Sequence, residues 1–171
     1  MAKKLNIKVA HVEAGIRSYD MTMPEEINRM VTDSITDYFF TTTRWASSNL
    51  VKAGIDENRI YLVGNVMIDT LLANIDRFVK PAIYDELNLQ EKGYIMLTLH
   101  RPANVDETNH LKALMTEIVE NAKGLPIIFP IHPRTAKLFA ELGIEAPNLH
   151  IVSPMGYLEF NYMVKRALAV V

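Results

Sequence analysis

The chain has 171 residues, 49% hydrophobic and 22% charged, with 18 Lys and Arg against 20 Asp and Glu. The formal charge of −2 lacks the basic excess of a nucleic-acid binder, no apolar run reaches membrane-spanning length, and the opening Met1-Ala-Lys-Lys has no apolar leader core. Cysteine is absent, which excludes disulfides, thiolate nucleophiles and Cys-based zinc sites and suits a cytoplasmic globular protein.

Short apolar runs alternate with helical periods along the chain. Ile7–Val12 reads as a buried strand and Pro24–Ile35 as a helix, followed by a strand at Asp37–Thr41, a helix at Trp45–Ala53 and a strand at Arg59–Val63. Val66–Val79 has a helical period and ends before Pro81, which makes it a candidate connection between two half-domains. The second half predicts strands at Tyr94–Leu99, Pro126–Pro130, Leu149–Val152 and Ala167–Val171. Its helices are predicted at Glu107–Lys123, Pro133–Leu142 and Tyr157–Lys165. Strands alternating with helices over short connections specify an α/β protein with parallel sheets. In such sheets ligands sit beyond the carboxyl ends of the strands, and the functional residues are sought there.

The first such end carries His11-Val-Glu-Ala-Gly-Ile-Arg17. His11 and Glu13 share a face if the strand persists. They are open to two readings, a metal-ligating pair or a hydrogen-bonded core histidine beside a loop charge. Pro24-Glu-Glu-Ile-Asn-Arg29 opens a helix with proline and two acids, and the i,i+4 spacing lets Glu25 pair with Arg29. Gly64-Asn65 reads as a turn before a helix, with the alternative that its backbone N–H groups face an anion. His100-Arg101-Pro102 ends the clearest strand of the second half, and His132-Pro133-Arg134 repeats the arrangement one βα unit later, which favours a phosphate-facing crevice. His110 and His150 have no supporting constellation.

The HVEAGIR and PEEINR motifs, Gly64-Asn65 with Asp69, His100-Arg101 and Met155-Gly-Tyr-Leu-Glu-Phe160 stand here in the order seen in the non-hydrolysing UDP-N-acetylglucosamine 2-epimerases, which the chain resembles over its whole length. The resemblance implies two facing Rossmann-like domains of the GT-B type. Residues 1–66 would correspond to the second half of the N-terminal domain. Residues 67–171 would be a linker helix and the first half of the C-terminal domain. It implies interconversion of UDP-GlcNAc and UDP-ManNAc, with no cofactor and no metal, in a homodimer or with a complementing chain.

The resemblance also assigns roles. Glu13 and Glu25 match the family's catalytic glutamates, and His100 the histidine that assists the leaving diphosphate. Arg29, Arg101, Met155 and Phe160 match substrate-binding positions, with Met155 standing where some relatives carry Gln. The family's nucleotide-binding Gly-Thr-Arg-Pro-Glu and Thr-Asp-Ser-Gly-Gly loops are not in this sequence, so a truncated or split form is expected. Two other readings are a non-catalytic chain that folds only with a partner polypeptide and a GT-B nucleotide-sugar glycosyltransferase.

Overall fold

The computed structural model describes residues 2–99, 108–131, 139 and 143–171. They form two compact units, Met1–Ile75 and Asp76–Val171. In the first unit the elements are β1 (Ala10–Val12), α1 (Pro24–Ser34), β2 (Tyr38–Thr41), α2 (Arg44–Lys52), β3 (Ile60–Leu62) and α3 (Val66–Asn74). The three strands make a parallel sheet in the order β1-β2-β3, with His11 opposite Phe39 and Phe40 opposite Tyr61. Alternation along β2 turns Phe39 into a core of Ala14, Phe39 and Leu50, against which Ile55 and Ile60 pack.

The helices begin where their chemistry allows. Pro24 occupies the first turn of α1 with Glu25 and Glu26 behind it. Thr43 caps α2 by accepting from the Ala46 N–H at 3.1 Å. Asn65 caps α3 by accepting from the Met67 N–H at 2.9 Å, so the Gly64-Asn65 turn spends its side-chain oxygen on its own helix. The predicted helix Val66–Val79 is shorter: it passes into a 3-10 turn at Ile75–Arg77. The first compact unit ends with Ile75, at the start of this turn.

The second unit contains α4 (Ala82–Glu86), β4 (Ile95–Met96), α5 (Thr108–Asn121), β5 (Ile127–Pro130), β6 (Leu149–Val152), α6 (Tyr157–Arg166) and β7 (Ala169–Val170). Its sheet is also parallel, in the order β6-β5-β4-β7. Ile127, Ile128 and Phe129 of β5 are all buried, which explains a continuous apolar run rather than an alternating one. One face packs Leu97, Leu111, Met115, Phe129 and Phe139. Another cluster gathers Leu89, Tyr94, Met96, Ile128 and Met163, where the Tyr94 hydroxyl donates to the Met163 carbonyl at 2.6 Å. The predicted helix Pro133–Leu142 lies outside the described residues except for Phe139, which meets Phe129 edge-on.

Candidate active site

In the first unit the chain leaves β1 at Val12 and turns sharply at Glu13, whose backbone is left-handed at φ 64°. A non-glycine residue in that region is uncommon and is tolerated where the surroundings enforce it. They do so here from several sides. The Ala14 N–H donates to the Phe40 carbonyl at 3.0 Å, carrying the strand contact past the turn. Gly15 has φ +75°, and a Cβ on it would lie 2.3 Å from the Ala46 carbonyl oxygen, so α2 packs where only glycine fits. Asn49 of α2 is buried and donates to the Gly15 carbonyl at 3.0 Å, while Tyr19 donates its hydroxyl to Asn49 at 2.9 Å and meets Trp45 edge-on. Glu13 itself is half-buried, and its carboxylate has no hydrogen-bond or ion-pair partner among the described residues.

The loop beyond is held by α1 through two buried acids. Glu26, 1% exposed, accepts from the Ser18 N–H at 3.0 Å, the Ser18 hydroxyl at 3.2 Å and the Tyr19 N–H at 3.2 Å. The Ser18 N–H bond is the largest of the influences that hold its carboxyl below the ordinary range; burial opposes it. Asp33 accepts from His11 Nδ1 and from Arg17, each at 2.6 Å. Burial works against the charge on Asp33, but the bonds and charge of His11 and Arg17 outweigh it and keep the carboxyl low. His11 is therefore hydrogen-bonded and half-buried, in agreement with the second of its two readings except that it is not in the core. Neither Glu26 nor Asp33 was singled out from sequence. The available signal was their spacing, which puts both on one side of α1.

The expected Glu25–Arg29 pair does not form. Arg29 turns instead to Glu26, at 3.4 Å, because the buried acid is hydrogen-bonded in place while Glu25 lies at the exposed surface. Glu25 thus stands on the first turn of the helix with no partner among the described residues. Glu13, Glu25 and Arg29 belong to the first unit. Met155 and Phe160 belong to the second, where both pack against the cluster around Tyr94 and Met163. His100 and Arg101 lie outside the described residues, as do His132 and Arg134. Among the described residues no group of three or more His, Asp or Glu side chains is placed to hold a metal ion, and no helix is long and apolar enough to cross a membrane.

Two units with parallel sheets, one carrying Glu13 in a left-handed turn at a strand's carboxyl end, define an α/β protein of the class whose ligands sit at that edge of the sheet. The chain belongs to the UDP-N-acetylglucosamine 2-epimerase family, whose model matches residues 1–171. It is 44% identical over 171 residues to a UDP-N-acetylglucosamine 2-epimerase homolog of Methanococcus maripaludis, with 96% of this chain and 47% of that protein covered. A UDP-2,3-diacetamido-2,3-dideoxy-D-glucuronate 2-epimerase of Pseudomonas aeruginosa is 36% identical, over 97% of this chain and 46% of that protein. The crystal structure of the Methanocaldococcus jannaschii UDP-GlcNAc 2-epimerase in complex with UDP-GlcNAc and UDP superposes with a TM-score of 0.82 at 42% identity, covering 99% of this chain and 49% of that one. The chain thus spans about half the length of the curated relatives it matches.

Proposed function

We propose that this chain carries the central part of a non-hydrolysing UDP-N-acetylglucosamine 2-epimerase, which interconverts UDP-GlcNAc and UDP-ManNAc in the cytoplasm. In that reading residues 1–66 are the second half of the N-terminal Rossmann-like domain, and residues 67–171 are the linker helix and first half of the C-terminal one. The homodimer or a complementing chain belongs to the same reading. The observation that carries it is Glu13: a half-buried side chain on a left-handed turn at a strand's carboxyl end, with no partner among the described residues.

The hydrogen at C2 of the sugar is not adjacent to a carbonyl, so simple deprotonation at that carbon is disfavoured. Elimination solves this. A base removes the C2 proton as the C1–O bond to UDP breaks, leaving 2-acetamidoglucal with a C1–C2 double bond. Return of a proton to the opposite face of C2, with UDP re-adding at C1, gives the epimer. The net change is inversion of one carbon, and it needs proton-transfer groups on both faces, a role suited to Glu13 and Glu25. Charge that develops on the departing diphosphate calls for preorganised donors, the role given to His100 with Arg29 and Arg101. Met155 and Phe160 would line the nucleotide.

The test uses the complete gene product with UDP-GlcNAc, following UDP-ManNAc and free UDP by NMR. Glu13→Gln and Glu25→Gln are each expected to lower kcat by at least about 10²-fold, and His100→Asn by a comparable factor. An unchanged rate in any of them removes that residue from the mechanism. The Pseudomonas enzyme's substrate serves as the competitor, and faster turnover of it would replace UDP-GlcNAc in this reading.

A further inference from the structure

Asp33 sits on the last turn of α1, and its two oxygens reach the chain on either side of Glu13. Oδ1 faces His11 Nδ1 at 2.6 Å, on the strand before the turn; Oδ2 accepts from Arg17 at 2.6 Å, on the loop after it. Arg17 also donates to the Ile16 carbonyl at 2.9 Å. The three side chains are nearly out of solvent, with 6% of Asp33, 10% of Arg17 and 18% of His11 exposed. An ionised carboxylate has no proton to give, so Nδ1 of His11 is the donor, and Asp33 thereby fixes a proton on that ring nitrogen. One carboxylate therefore ties both arms of the Glu13 turn to the helix whose first turn bears Glu25.

A buried charged triad is a costly way to hold a fold together, since apolar side chains of similar volume often do as well or better. What it supplies that an apolar cluster does not is direction. Two hydrogen bonds from converging donors limit where the ends of the turn can move, and proton transfer tolerates little misplacement of the transferring group. We propose that Asp33 is a positioning residue for the epimerisation, holding Glu13 in its reactive orientation through His11 and Arg17. This rests on the functional reading above.

The test is a double-mutant cycle in the complete gene product, with Asp33→Asn, Glu13→Gln and the two together. Asparagine keeps the shape but turns an N–H toward one of the two donors, so one tie is lost. Asp33→Asn is expected to lower kcat about 10- to 100-fold with KM within about threefold. In the Glu13→Gln background the same change is expected to cost less than about threefold, since the group being positioned is gone. Loss of either the His11 Nδ1–H signature or the Arg17 side-chain hydrogen bond in ¹⁵N spectra is expected to accompany the fall in kcat in Asp33→Asn.

A full rate in Asp33→Asn, an equal loss in both backgrounds, or a change in KM alone would overturn the positioning role while the functional reading stands. An inactive wild-type protein, or a fully active Glu13→Gln, would overturn the functional reading and the positioning role with it. If Asp33→Asn fails to fold, Arg17→Lys is used. It keeps a cation opposite Asp33 but gives up the planar fork that serves Ile16 as well, and it must show the same dependence on Glu13 or the proposal fails.

Discussion

In the first unit the fully buried apolar side chains packed together are Ala14, Phe39 and Leu50, while Glu26, Asp33, Thr36, Thr41 and Asn49 are also buried. In the second unit the interior is made of Leu97, Leu111, Met115, Phe129 and Phe139 on one side and Tyr94, Met96, Ile128 and Met163 on another, with no buried carboxylate among the described residues. The surfaces differ to match. Ile27, Met30 and Val31 make an exposed apolar stripe along α1 that Ile35 continues just past its end, and Met67, Ile68 and Leu72 stand exposed on α3. A unit built this way invites cover by other protein surface, and the order it has rests on hydrogen bonds whose strength depends on charge. The unit with the denser apolar core depends on volume instead. The strained turn and its candidate carboxylate lie in the first kind of environment, where polar groups give direction as well as stability.

The largest effect that would sharpen this contrast is Phe129→Ala, expected to cost about 3–5 kcal/mol by opening a cavity beneath β5. Amide exchange followed residue by residue should accelerate across the second unit and leave the first unchanged. Uniform acceleration in both would mean that the units do not unfold separately.

Acid should do the reverse. Asp33 and Glu26 have carboxyls held below their ordinary values in the folded chain. Each stabilises the fold above the unfolded-state value, near pH 4, and that stabilisation is lost as pH falls through the lower folded-state value. The first unit is expected to loosen below about pH 4 while the second persists. Two-dimensional NMR during an acid titration checks it, and simultaneous loss of both units would break the contrast. The smallest effect is expected at the surface pair of Lys80 and Asp85, whose side chains are largely solvent-exposed. Lys80→Ala should leave the thermal unfolding midpoint of the second unit essentially unchanged.

How much of this was legible in the sequence differs by element. Strand Leu149–Val152 and the starts of α1 at Pro24 and α6 at Tyr157 are where periodicity and cap chemistry put them. Strands β1, β4 and β7 are shorter than their apolar runs, since a ladder ends where its neighbour does, and the neighbour is not written in the local sequence. The helix α4 was missed altogether, being too short to establish a period. Around the candidate site, Glu13 and Glu25 were visible because they stand at a strand end and a helix start. Glu26 and Asp33 were not, because as residues they look like any other helix acids.

The clearest case is α1. Its apolar stripe suggests a helix that buries Ile27, Met30 and Val31, and in this chain that face is exposed while Glu26 and Asp33 point inward. Residue order alone determined the alternation of strands and helices, the turn signals and the positions where chemistry could reside, because these follow from local backbone preference and hydrophobic period. Which acid is buried, which partner Arg29 takes and what pins Glu13 in a left-handed turn were decided by the tertiary structure. Hydrogen bonds from Ser18, Tyr19, His11 and Arg17 converge on two carboxylates only when the strand and loop that precede the helix fold back against one side of it, and their combined hydrogen bonding outweighs the cost of burying the charge.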